Sequence, residues 1–198
     1  MRGIKPRITT LVPALLLAFP SVSMAAWSLD NDSSSLSYVT NKAAAISEVN
    51  TFTVLKGGIT DAGQATLAID LSSVDTEIEI RNQRMREIVF ETDHYASAIV
   101  TLDVSDLNLS AMANGDIVRQ SVEAELSLHG LTERVDADVV VVKTSDGGVQ
   151  VSSSSPILVN AGTFGLADAV EELKEIAGLP SINPNVSVSF SLNYQLMD

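Results

Sequence analysis

Near the end of the chain, Val186, Val188, Phe190, Leu192, Tyr194 and Leu196 alternate with Ser187, Ser189, Ser191, Asn193 and Gln195. Strict alternation of this kind predicts a strand with one apolar face and one wet face. At about 3.3 Å per residue it would run roughly 36 Å, which suits a tilted barrel stave better than a sandwich strand. The same period of two sets Val122, Ala124, Leu126 and Leu128 against Ser121, Glu123, Glu125 and Ser127, and it recurs in Ala65, Leu67, Ile69 and Leu71. Shorter runs at 36–40, 46–56, 98–104, 135–142 and 149–153 add further strands. Gly57-Gly58, Asp61-Ala62-Gly63, Asn114-Gly115 and Asp146-Gly147-Gly148 read as turns between many of them. The expectation is an all-β chain of about eight antiparallel strands.

Two segments break the rhythm. Residues 79–90 place Ile80, Arg84 and Ile88 at one spacing and Met85 and Val89 at another, which predicts a short helix or an irregular excursion. Residues 168–177 read more clearly as a helix. Asp168 is its expected cap, Glu171 the capping-box partner, Val170, Leu173 and Ile176 the buried stripe, and Gly178 with Pro180 the stop.

The beginning of the chain has a different character. Arg2, Lys5 and Arg7 precede an apolar run from Ile8 to Phe19, and Ser23, Ala25 and Ala26 supply small residues after it. This is the layout of a secretory signal peptide, with cleavage expected after Ala25. The apolar run falls short of the ~20 residues that cross a bilayer as a helix, and Pro13 and Pro20 interrupt or end it. Residues 1–25 are thus expected to be removed, leaving one domain over 26–198 in the periplasm. Without Cys the chain is neither a diacylated lipoprotein nor a disulfide scaffold, and stability must come from packing. Loss of the three leading cations takes the formal charge from −13 to −16. A surface so acidic repels nucleic acid and anionic headgroups, so no nucleic-acid partner is expected and membrane contact should be transient.

An eight-stranded barrel is just wide enough to be filled by its own side chains or to hold one slender ligand. Five Phe, three Tyr and one Trp are few aromatics for this length, and the inward candidates are mostly Val, Ala, Ile and Leu. Aliphatic periodicity reports burial and leaves a tunnel and a filled core equally open. Should a tunnel exist, Phe52, Val54, Leu67, Ile69, Met85, Phe90, Leu126, Phe164, Leu173 and Phe190 are the residues expected around it.

Leu71-Ser-Ser-Val-Asp-Thr-Glu77 leads into Ile80-Arg-Asn-Gln-Arg-Met-Arg-Glu-Ile-Val-Phe90, and Leu126-Ser-Leu-His-Gly-Leu-Thr132 precedes an apolar strand. With the opening Trp27-Ser-Leu-Asp30 and the closing alternating strand, this combination resembles the YceI-like family of exported lipid-binding proteins over essentially all of 26–198. The resemblance implies a lipocalin-like antiparallel eight-stranded barrel, closed by a short helix, whose long apolar cavity takes a polyisoprenoid such as a quinone side chain or a prenyl diphosphate. It implies no cofactor beyond a bound isoprenoid lipid. The middle motif reads Arg81-Asn82-Gln83-Arg84-Met85, where many relatives have an Arg-Asp pair followed by His or Leu, so no head-group role is carried to Asn82 or Gln83.

Polar candidates are few. Arg81, Arg84 and Arg86 form a positive spot on a negative chain, and guanidinium forks suit a diphosphate or a quinone carbonyl. Their bland alternative is pairing with Glu77, Glu79, Glu87 or Glu91; Arg81 leads because it carries the family-like position. His129 either secures a strand end or titrates in a cavity mouth. His94 and His129, without Cys and without helical i,i+4 spacing, do not make a zinc site, and the Ser152–Ser155 run lacks a nucleophile-elbow pattern. Three functions follow: an envelope carrier or reservoir for an isoprenoid lipid, an adhesion or interaction β-module with a filled core, and an enzyme acting on such a lipid. No catalytic residue is assigned, and the oligomeric state, a homodimer included, stays open.

Overall fold

The computed structural model describes residues 25–43 and 45–197. The expected signal segment, residues 1–25, lies outside these apart from Ala25. Eleven strands occur among the described residues: β1 (Ala25–Lys42), β2 (Ile46–Phe52), β3 (Leu55–Thr60), β4 (Gln64–Asp70), β5 (Val74–Asp75), β6 (Ser97–Asp103), β7 (Ile117–Leu128), β8 (Leu131–Lys143), β9 (Val149–Ser153), β10 (Ile157–Asn160) and β11 (Asn185–Leu196). Eight of them close an antiparallel barrel in the order β1-β3-β4-β6-β7-β8-β9-β11, with β11 returning to β1. The other three extend one end of it: β2 replaces β3 along the second half of β1, β5 pairs with β2, and β10 replaces β9 along the first half of β11. Closure leaves the ring itself without an edge.

The long strand β1 exceeds the expected run at 36–40 because a bulge joins two halves. Asp30 sits opposite Asn193 and Ser35 opposite Ser191, so residues 31–34 are looped out. The Asp30 carboxylate holds the loop by accepting from the Asp32 N–H at 3.1 Å and the Ser33 hydroxyl at 2.8 Å. Asn31 donates to the Thr53 carbonyl at 3.2 Å and accepts from the Leu55 N–H at 2.7 Å, which fixes the break between β2 and β3 beside the bulge. The run expected at 46–56 is divided at that break.

Gly57-Gly58 was expected as a turn and instead lies within β3. A Cβ on Gly57 would stand 2.5 Å from the Thr66 carbonyl oxygen, so the glycine is there to let β4 approach. Gly63, Gly115 and Gly147 do occupy turns with positive φ. β10 lies outside the runs expected from the pattern and pairs with the first residues of β11.

Helices cover the end of the barrel at which β11 begins. α1 (Glu79–Arg84) continues into a π turn, Met85–Val89, marked by the Phe90 N–H donating to the Met85 carbonyl at 2.9 Å. α2 (Ala167–Ile176) packs against that turn. It starts one residue before the expected cap: Leu166 is the N-cap, with no side-chain cap bond, and Asp168 lies in the first turn. Glu171 pairs with Lys174 rather than closing a capping box. Val170 and Leu173 face inward as expected, whereas Ile176 is exposed. Gly178, at φ +62°, ends the helix. Beyond it, the 181–183 segment is fastened to the end of β1 by the Ala43 N–H to Ser181 carbonyl and Asn183 N–H to Asn41 carbonyl bonds, 2.9 and 2.8 Å.

The opposite end is plugged. Trp27 is buried; the Lys143 ammonium lies 5.2 Å from its ring centroid and donates to the Gly147 carbonyl at 2.9 Å. Leu107 and Leu109, from two short helical turns between β6 and β7, close the interior there.

Candidate functional site

Period-2 alternation sends every second side chain of each stave inward. Those side chains do not meet across the barrel. They enclose a cavity of about 310 Å³, twice the ~150 Å³ void that accepts benzene in an engineered core. Its wall draws Leu36 and Tyr38 from β1, Leu67 and Ile69 from β4, Val100 from β6, Ala124 and Leu126 from β7, Val139 and Val141 from β8, and Phe190 and Leu192 from β11. Met85 and Val89 from the π turn, Phe90 directly after it, and Val170 and Leu173 from α2 roof it. The π turn matters here: its extra residue per turn brings Met85 and Phe90, five apart, to the same surface.

Among the described residues the wall contains no charged side chain. Its polar groups come from Tyr38, Tyr194, Thr40, Thr66 and Asn183. Burial pushes the Tyr194 hydroxyl up to about 12 and raises that of Tyr38 further, so both are neutral at ordinary pH. The nearby Arg81 guanidinium pulls Tyr38 slightly back.

Eight of the ten apolar residues singled out by pattern reach this wall: Phe52, Leu67, Ile69, Met85, Phe90, Leu126, Leu173 and Phe190. Val54 and Phe164 do not. Val54 occupies the break between β2 and β3, where its N–H donates to the Ser73 hydroxyl and its carbonyl accepts from the Asp70 N–H, and the alternation is interrupted. Phe164 ends a helical turn, is fully buried in the core, and leaves the wall position to Leu166.

The polar candidates lie off the wall. Arg81 pairs at 2.7 Å with Glu48, a residue of β2 rather than one of the sequence neighbours considered above, and Glu48 also holds Lys42 at 2.5 Å. Arg86 pairs with Glu79 at 2.7 Å, and Arg84 is half-buried at the end of α1. His129, at φ +52°, and Gly130, at φ +78°, form the two-residue turn between β7 and β8. The His129 Nε2 lies 2.7 Å from a Glu91 carboxylate oxygen and its ring packs 4.3 Å from that of Tyr95, centroid to centroid. The Leu-His-Gly-Leu motif is therefore a hairpin that anchors the segment after the π turn. Asn82 is buried and accepts from both the N–H and the hydroxyl of Thr76, at 2.8 and 2.6 Å, so it serves to seat α1.

Pattern reading missed Tyr38. It is 6% exposed, its ring stacks on Phe52 at 5.5 Å with Phe90 a further 5.7 Å along, and its hydroxyl has no hydrogen-bond partner among the described residues. The available signal was a polar ring at an inward position between Leu36 and Thr40.

A profile for the YceI-like domain matches residues 27–194. No curated protein sequence matches the chain. Among solved structures, a polyisoprenoid binding domain from Saccharophagus degradans implicated in plant cell wall breakdown is 38% identical, covers 88% of this chain and 100% of its own length, and superposes with a TM-score of 0.85. BcnA of Burkholderia cenocepacia shares the fold at 18% identity and a TM-score of 0.62, covering 83% of this chain and 98% of its own.

Proposed function

The chain belongs to the YceI-like domain family, and from that premise we propose that its barrel binds an isoprenoid lipid, of the quinone or prenyl diphosphate type, as a carrier or reservoir in the cell envelope. The observation that carries this reading is the cavity: about 310 Å³ of space walled by apolar side chains from one end of the barrel to the other. Each five-carbon prenyl unit gains on the order of 4 kcal/mol gross when buried, at about 0.8 kcal/mol per carbon. Chain ordering and loop opening offset much of that, so that several units stay below the practical ceiling of ~20 kcal/mol. The polyisoprenoid-binding relative, at 38% identity, supports the same ligand class.

Binding without catalysis is the favoured reading because the titratable groups in the described wall are two tyrosines that burial keeps protonated. His129, the histidine candidate for a place in a cavity mouth, sits instead in the β7–β8 turn and pairs with Glu91. The interaction-module reading requires a filled core, which the cavity disfavours. Export to the periplasm rests on the leading segment 1–25, with 26–198 as the working domain that meets membranes transiently to exchange its lipid.

The test is native mass spectrometry of the protein purified from a periplasmic extract, followed by solvent extraction of whatever is released. A stoichiometric prenyl lipid is the expected result. A folded, empty protein that also refuses added prenyl lipids would sink the proposal.

A further inference from the structure

We infer that the Tyr38 hydroxyl donates a hydrogen bond to the polar end of the bound lipid and selects a neutral acceptor, such as a ring carbonyl oxygen, over a diphosphate; the inference rests on the lipid-binding reading above. A hydroxyl buried without a partner is rare in a folded protein and calls for a specific explanation. Tyr38 is 6% exposed, lines the cavity, and has no partner among the described residues.

Its polar neighbours are already committed. Asn50, directly opposite it on β2, donates to Thr40 at 3.2 Å, and Arg81 is engaged by Glu48 at 2.7 Å. The hydroxyl oxygen is itself buried and unpartnered among the described residues, so a ligand oxygen that reaches it as the side chains around it give way would be its first partner. Because burial keeps the phenol protonated, it acts there as a donor.

Two further features narrow the acceptor. Tyr38 stacks on Phe52 at 5.5 Å and Phe90 is tilted by 51° to Phe52 at 5.7 Å, an aromatic cluster whose remaining faces and edges a planar conjugated ring would pack against. A diphosphate would need several free cations at this spot, yet Lys42 and Arg81 share the Glu48 carboxylate, which leaves a single net positive charge against the ligand's two or more negative ones. The prenyl tail would then run from the aromatic group toward Ala124, Val141 and Leu109.

Delipidated wild-type protein and Tyr38→Phe are titrated with a short prenylquinone, with farnesyl diphosphate and with squalene. Wild type is expected to prefer the quinone to the diphosphate. The variant, folded by circular dichroism, should bind the quinone about three- to tenfold more weakly, as loss of one neutral hydrogen bond dictates. Its squalene affinity should be unchanged, and the bound quinone's carbonyl stretch, lowered in wild type, should return toward its free position. Unchanged quinone affinity and carbonyl stretch in Tyr38→Phe, with squalene still bound, would overturn the role of Tyr38 alone. A wild-type preference for farnesyl diphosphate would overturn the neutral acceptor. Refusal of all three probes by wild type would overturn the lipid-binding reading and this inference with it.

Discussion

Ala124 offers a direct test of whether the barrel interior is space or packing. It lies on β7 opposite Val135, is buried, and faces the cavity. Ala124→Leu adds three carbons at that point of the wall. In a filled core, such an addition forces neighbours off their rotamers and costs about 1–3 kcal/mol. In a cavity of about 310 Å³ the new carbons meet wall atoms without displacing any. At ~0.8 kcal/mol per buried carbon they add about 2.4 kcal/mol, from which ordering the leucine side chain subtracts roughly 0.5–1 kcal/mol. The delipidated variant should therefore be more stable by about 1.5 kcal/mol, which for a domain of this size is a rise in Tm of about 3–6 °C. The ligand loses what the leucine takes: about three carbons of contact, equivalent to roughly 50-fold weaker binding of a prenyl lipid long enough to fill the cavity. Chemical denaturation of the delipidated proteins gives the first number and lipid titration the second. A variant destabilised by 1–3 kcal/mol with lipid affinity intact would refute the reasoning, because both signs would then be those of a filled core.

Other consequences can be checked on the same preparations. Gly57→Ala pushes a methyl to 2.5 Å from the Thr66 carbonyl oxygen, so β3 and β4 must part; stability in urea should fall by about 1–3 kcal/mol, and a neutral result would mean that the two strands are not so closely set. Asp146 has its carboxyl held below the usual range, first by the Thr144 hydroxyl and then by the Gly148 N–H. A folded-state value below the unfolded one stabilises at pH above ~4 and is lost as pH falls through the folded value. Asp146→Asn should accordingly flatten the decline in stability below pH ~4, seen as acid-unfolding curves that converge with wild type at low pH. Glu48→Gln releases Lys42 and Arg81 from their shared carboxylate. It should cost about 1 kcal/mol of stability or less and tighten farnesyl diphosphate binding several-fold in a salt-sensitive manner; unchanged affinity at low salt would show that these cations do not reach the ligand's head.

How far the chain can be read by pattern depends on whether the information is local. The alternation at 186–196 and 121–128 is legible because one face of each strand is buried and the other wet, and the structure places β11 and β7 there. His129-Gly130 was legible only as a strand end, and the structure makes it the two-residue turn between β7 and β8. The bulge in β1 was not legible, since Asp30, Asn31, Ser33 and Ser34 look like any polar loop until Thr53 and Leu55 come to Asn31 from another strand. Gly57 illustrates the same limit: a Gly-Gly pair looks like a turn, and only the nearness of Thr66 explains it within a strand. At the site, inward positions follow from periodicity, but vacancy does not, because wall and core use the same letters. Arg81 shows how sequence neighbours mislead: the carboxylate it meets is Glu48, brought by the β1–β2 hairpin. The solitary hydroxyl of Tyr38 depends on Asn50 and Thr40 having chosen each other, a relation across strands that no run of residues encodes.

The pairing of β1 with β11 sets a timetable. Trp27 meets Leu196, so the ring cannot shut until the last strand of the barrel has been made. The β7–β8 hairpin can form early from neighbouring residues, but the seam joins residues from opposite ends of the described chain, and such non-local pairings come late and slowly. Until then the sheet has two free margins and an apolar inner face open to solvent. Finished and unfinished copies thus differ in a way that a holdase or protease can sense, and only a polypeptide delivered to its final strand can hide the seam.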